Sequence, residues 1–161
     1  MAQRVRVQSF TVSQDGYGTG EEQTLERPFG HADPTELMAW RFDTASWPGR
    51  TGPGGSRGID DYFERDFAIG IGAEIMGRNK FGPQRGPWTD HEWTGWWGDT
   101  PPFHTPVFVL THHERPSITL ADTTFHFLDA SPVEAVERAK VAAGGLDVRV
   151  GGRPTTVRSF I

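Results

Sequence analysis

The stretch Ser131–Gly145, "SPVEAVERAKVAAGG", constrains the fold of this chain more than any other. Ser131 stands at an N-cap position, Pro132 at the first helical position, and Glu134 where a capping box closes, so three residues specify one helix start. Gly144-Gly145 supplies the left-handed exit at the other end. "TTFHFLD" precedes this helix and "DVRV" follows it, each short and apolar enough to be a buried strand. Strands joined through a helix of this length have room to run parallel, which a tight turn would forbid. "VFVLT" is an uninterrupted apolar run, as strands covered on both faces are. "AEIM" and "RVRVQSFTVS" add two more strands. Strands alternating with helices predict an α/β domain with a mainly parallel central sheet.

Two further helices are expected. "DPTELMAWRFDTA" enters through Asp33 as N-cap, Pro34 and Glu36, and places Leu37, Arg41 or Trp40, and Thr44 on one face. "IDDYFERDFAIGIG" spaces Ile59, Tyr62, Phe63 and Phe67 as one apolar helix face. "QDGYGTG" reads as a turn and "WPGRTGPGGSRG" as a glycine-rich loop. Residues 82–106 show no period and read as one long structured loop, rich in tryptophan.

The 161 residues make one domain, 1–161, by length. Hydrophobic content is only 35%, and 12% aromatics replace part of the missing aliphatic burial. There is no cysteine, which excludes disulfides and thiolate metal sites. No apolar run has the length of a membrane span or a signal peptide, so a soluble, cytoplasmic protein without a membrane partner is expected. A net charge of -5 argues against nucleic-acid binding, and an anionic ligand would need local arginines and backbone amides.

Three expected strand ends carry residues suited to such a ligand, and ligands of open α/β sheets gather at strand carboxyl ends. Gly77-Arg78-Asn79-Lys80 follows "AEIM". Thr111 closes "VFVLT", and His112, His113, Glu114 and Arg115 come next. Gly151-Gly152-Arg153-Pro154-Thr155 follows "DVRV". Glycines admit close backbone approach, helix starts offer unpaired N–H groups, and arginine offers a forked donor for phosphate. Singly, these residues read equally well as turns, caps and surface cations. Together they predict a ligand with more than one phosphate, such as a dinucleotide. No G-x-G-x-x-G follows the first strand, so a Rossmann site is excluded.

"SQDGY", "IMGRNKFGPQRGPW", "TPVFVLTHHERP" and "LDVRVGGRPTTVRSFI" together resemble the dihydrofolate-reductase-like family. The closest subgroup is the C-terminal domain of the riboflavin-biosynthesis bifunctional deaminase-reductase, and the resemblance spans nearly the whole chain. It implies a three-layer α/β/α fold and NADPH bound along the strand ends. Gly77, Arg78, Asn79 and Lys80 would lie near cofactor phosphates. Thr111, His112, His113 and Arg115 would flank the adenosine half and its 2′-phosphate. Gly151, Gly152, Arg153, Pro154 and Thr155 would hold the pyrophosphate. Arg153 departs from the family, which commonly has a third glycine there. By the same likeness the domain continues past Ile161 with a terminal strand pair that this chain lacks, so an unpaired sheet edge and a homodimer are expected.

The implied reaction is hydride transfer to a pyrimidine- or pteridine-type heterocycle. A proton must also arrive, from a carboxyl group or water, and Asp15 is the one candidate, although Asp before glycine is also an ordinary turn former. Trp88 and Trp97 are candidates to stack on the substrate; the tryptophan loop can equally be a private core or a subunit interface. Adjacent His112 and His113 on extended chain cannot face one metal, and no metal is expected. The alternatives are a non-catalytic nucleotide-binding or interaction module of the same fold, and a structural dimer built through the tryptophan loop.

Overall fold

The computed structural model describes residues 2–161. Six strands form one sheet: β1 (Val5–Arg6), β2 (Ile71–Gly77), β3 (Pro106–Leu110), β4 (Ile118–Leu120), β5 (Thr123–Leu128) and β6 (Asp147–Gly151). Their order is β1-β6-β2-β3-β5-β4, parallel throughout except for the antiparallel β4–β5 pair. The helices are α1 (Pro34–Leu37), α2 (Ala39–Phe42), α3 (Ile59–Glu64), α4 (Arg78–Phe81), α5 (Pro132–Ala142) and α6 (Pro154–Arg158). The expected α/β domain with a mainly parallel sheet is thus present. No helix is long and apolar enough to cross a membrane among the described residues.

Helix α5 forms as its signals dictate. Ser131 Oγ accepts from Glu134 N, and the Glu134 carboxylate accepts from Ser131 N at 2.9 Å. Gly144 takes φ 58° at the exit. The alanines Ala135, Ala139 and Ala143 let α5 lie close on one sheet face, against Ala73, Ile75, Phe108, Val148 and Val150, with Val157 of α6 beside it. On the opposite face the long loop supplies the core. Trp88 and Phe103 pack there with Phe81 of α4 on Met76, Val107, Val109, Phe125 and Phe127. Burying side chains of this size is worth about 1.5–3 kcal/mol each, so the loop is held as firmly as an element of regular structure.

Three sequence expectations are corrected here, and one hairpin is new. The first strand is only Val5–Arg6: Ser9 turns to φ 49°, which ends extended pairing. Its short ladder is pinned by Asp147, which accepts from Arg4 N at 2.8 Å and pairs with Arg4 and Arg6. The helix over 33–45 divides at Met38 (φ -105°, ψ 4°) into α1 and α2, though Asp33 does cap the start, accepting from Thr35 N at 2.7 Å. The strand read as "AEIM" begins at Ile71, which takes that segment from the predicted helix 59–72. The β4–β5 hairpin, closed at Ala121 with φ 49°, has no counterpart in the expectations.

α3 departs most. Its buried residues are Asp61 and Glu64, while Ile59, Tyr62 and Phe63 are 69%, 50% and 56% exposed. Glu64 turns inward to meet Arg41, forming two 2.6 Å hydrogen bonds with its guanidinium, and Asp61 accepts from Ser46 N at 2.7 Å. Once Glu64 is inside, the bidentate pair with Arg41 is what satisfies its charge, and losing either partner would leave a buried charge unpaired.

Candidate functional site

A cleft of about 590 Å³ opens at the carboxyl ends of β6 and β2. One wall is the N-terminal segment through Phe10, Thr11 and Thr19; Trp40 Nε1 donates to Thr11 Oγ1 at 2.9 Å and ties that segment to α2. Trp47 and Phe67 line a second side, and Trp96, Trp97 and Phe103 a third. The floor is polar: Asn79 and Lys80 of α4, Arg41, Arg149, and the turn Gly151-Gly152-Arg153. Flat aromatic walls over a cationic floor suit a planar ligand that carries negative charge.

The floor contains two buried ion pairs. Glu74 and Arg149 are register partners across β2 and β6, both nearly inaccessible, and Arg149 donates to Glu74 Oε1 and to Phe67 O. Its guanidinium carbon lies 3.5 Å from the Phe67 ring centre. Arg41 and Glu64 form the second pair. Lys80 is the third cation and has no matching carboxylate; no hydrogen bond or ion pair of its ammonium exists among the described residues. Burial pushes it down to about 8; Glu74 opposes this shift, and Arg149 and Arg41 add to it. Four cations on the floor, Arg41, Lys80, Arg149 and Arg153, meet two carboxylates, which leaves Lys80 and Arg153 without a counter-ion among the described residues. Thr19 Oγ1, Arg149 Nε and Arg153 Nε are likewise buried without a partner. These atoms can donate, whereas Glu74 Oε2 is a buried acceptor in the same condition; donors outnumber it, which favours an acceptor-rich, anionic guest.

Glycines make room for this arrangement. A Cβ on Gly77 would stand 2.4 Å from Thr156 Oγ1, so its absence lets α6 close against the end of β2. Gly152 has φ 121°, a conformation that L side chains rarely adopt. α4 and α6 are single turns, so Lys80 and Arg153 supply most of the positive potential rather than helix dipoles.

The cleft thus unites Asn79, Lys80, Gly151, Gly152, Arg153 and Trp97 from the sequence reading. The other candidates stand elsewhere. Arg78 places its guanidinium carbon 3.8 Å over the Trp88 ring and donates to Gly86 O at 2.6 Å. Arg115 lies 5.1 Å from the same ring and donates to Trp93 O and His91 O. Both guanidinium groups are depressed, chiefly by burial. They clamp the tryptophan loop instead of facing the cleft. Trp88 is 7% exposed, and its indole N–H donates to His113 O, which makes it core. Thr111 Oγ1 accepts from His113 N and stays in that local turn. His112 is exposed and paired with Asp129. Pro154 and Thr155 start α6 outside the cleft lining. Asp15 is exposed and accepts from Ser13 Oγ at 2.6 Å. No group of metal-ligating side chains occurs among the described residues.

Arg41, Glu64, Glu74 and Arg149 were not among the sequence candidates. A signal was present for two of them: one charge in the middle of each of two apolar strands, with opposite sign. Arg41 and Glu64 carry no such signal, because helical patterning assigns polar residues to solvent. Comparison with known proteins returns no matching family model and no match among curated proteins.

Proposed function

We propose that this chain is an NADPH-binding, reductase-like domain of the dihydrofolate-reductase-like kind, transferring hydride to a pyrimidine- or pteridine-type ring. The observation that carries the reading is the cleft itself: the Lys80 ammonium without an ion pair among the described residues, and the unpartnered Thr19 Oγ1 and Arg153 Nε, beside the Gly151-Gly152 turn and under aromatic walls. Those donors fit a diphosphate, and the aromatic walls fit the flat rings of cofactor and substrate. When bound, the nicotinamide supplies the hydride. The chain's own work is to orient the rings, match the negative charge and exclude water. Among the described residues no carboxylate lines the cleft, so the reading takes the proton from water rather than from Asp15. Millimolar NADPH should raise the melting temperature, and Gly152→Val should abolish that rise. A folded protein with no shift would overturn the proposal.

The same lack of a lining carboxylate favours a second reading, a nucleotide-binding module that does not turn over. NADPH would then stabilise the protein without being oxidised in the presence of any heterocycle supplied. The proposal extends to a homodimer, now assigned to the exposed stripe Ile59, Tyr62 and Phe63 of α3. The tryptophan loop packs Trp88, Trp93, Trp97 and Phe103 on the sheet, which favours α3 over that loop as the interface.

A further inference from the structure

The chain contains only two lysines, Lys80 and Lys140; every other basic residue among its sixteen is arginine. Arginine stays charged at any pH a protein meets, while a buried lysine can release its proton. Both paired cations at the cleft floor, Arg41 and Arg149, are arginine; of the two without a counter-ion, Arg153 donates to Gln23, and Lys80 makes no hydrogen bond among the described residues. This division has a chemical consequence. An arginine in place of Lys80 would bind an anion, but only an amine can also become a nucleophile near neutral pH.

The surroundings of Lys80 meet the requirements of such an amine. It faces a cavity large enough for a small aromatic aldehyde. Glu74, Arg149 and Arg41 are the charged groups that act on it; Arg41 holds both oxygens of Glu64, and Arg149 holds Oε1 of Glu74 while Oε2 has no partner among the described residues. Burial and the two arginines favour its neutral form, with the pKa drawn down to about 8. Gly151 leaves free the space beside Nζ that a side chain would occupy. On the adjoining turn, Arg153 Nε is buried without a partner and can receive an anionic substituent.

We infer that Lys80 is a carbonyl-capturing amine, and that the cleft binds aromatic aldehydes carrying an anionic group as an imine on Nζ. The Nζ lone pair adds to the carbonyl carbon, and the carbonyl oxygen takes a proton. The carbinolamine then loses water as the C=N bond forms. Nothing is oxidised or reduced, and hydrolysis reverses the step. This inference does not depend on the reductase reading, since it needs no nicotinamide.

Pyridoxal 5′-phosphate is a suitable probe, being a planar aldehyde with a phosphate. Incubated with the full chain, it should give imine absorbance at about one equivalent per chain. Borohydride should trap the imine as a secondary amine, and peptide mapping should place it on Lys80 rather than on Lys140 or the N-terminal amine. Lys80→Arg keeps the charge and should reduce the absorbance to background, while Lys140→Arg should leave it unchanged. The melting temperature of each variant reports whether it is folded. Labelling should rise with pH through about 8, and inorganic phosphate should slow it by competing at Arg153. Equal labelling of Lys140 or the N-terminus, or full labelling of a folded Lys80→Arg variant, would overturn the inference. Failure of NADPH to stabilise the protein would leave this result untouched, and loss of labelling would not bear on NADPH binding.

Discussion

Lys80 places its ammonium against the α-carbon of Gly151: a methyl group on that glycine would stand 2.6 Å from Nζ. The glycine at the end of β6 and the lysine of α4 therefore form one unit. Gly151→Ala should move the amine while leaving the fold intact, because the atom displaced is the free end of a flexible side chain. The expected result is a change in stability within about 1 kcal/mol, together with weaker anion binding, read by thermal shift against phosphate or NADPH. Unchanged binding would separate the glycine from the amine.

The buried ammonium also predicts how stability depends on pH. Its folded pKa, about 8, lies below the ordinary value of 10.5. Between those values the unfolded chain keeps a proton that the folded amine has released, so this group makes stability rise with pH through that window. Below pH 8 the charged amine costs stability, by about 1.4 kcal/mol for each unit of depression at most. Lys80→Met should therefore be more stable than wild type at pH 7, with the gap closing by about pH 10. Denaturant melts at several pH values would show it, and a pH-independent gap would refute it.

Two ion pairs lie under the cleft, and each should behave as a pair. Glu64→Ala strands Arg41 in an apolar surrounding and should cost about 3–5 kcal/mol, as should Glu74→Ala for Arg149. Replacing both members, Glu74→Leu with Arg149→Met, should recover most of that loss. A double-mutant cycle in urea measures the coupling, and additive losses would count against it.

Trp88 between Arg78 and Arg115 is the anchor of the long loop. Trp88→Ala should cost about 3–5 kcal/mol. Arg78→Ala should cost less, about 1–3 kcal/mol, through lost stacking and hydrogen bonds. Its effect on NADPH should appear as a loosened loop, with faster hydrogen exchange over residues 86–97. A variant that loses NADPH binding with unchanged exchange would instead make Arg78 a direct phosphate ligand.

The exposed face of α3 predicts self-association. Phe63→Asp should shift the protein to a smaller species by light scattering if Ile59, Tyr62 and Phe63 form the dimer contact, while Trp97→Ala should not. A wild-type monomer at high concentration would refute that assignment.

Local signals carried the elements whose instructions lie within a few residues. Asp33 and Ser131 cap the helices they were expected to cap, and "VFVLT", "TTFHFLD" and "DVRV" became strands because an apolar run has nowhere else to go. The same logic failed at α3, where Ile59, Tyr62 and Phe63 have helical spacing but face outward. Spacing shows which residues share a face; what lies opposite decides which face turns inward.

From the sequence alone came an α/β domain with a parallel sheet, the long tryptophan loop, and the glycine turns after β2 and β6. Capping, periodicity and backbone freedom are local, so a linear reading captures them. The tertiary structure alone decided which cations share a site. It sent Arg78 and Arg115 to clamp Trp88, and it joined Arg41 with Glu64 and Glu74 with Arg149 beneath the cleft. Lys80 and Arg153 were left without a carboxylate partner among the described residues. These are long-range electrostatic choices, and charge finds its partner only when the sheet and the loop have brought distant segments together.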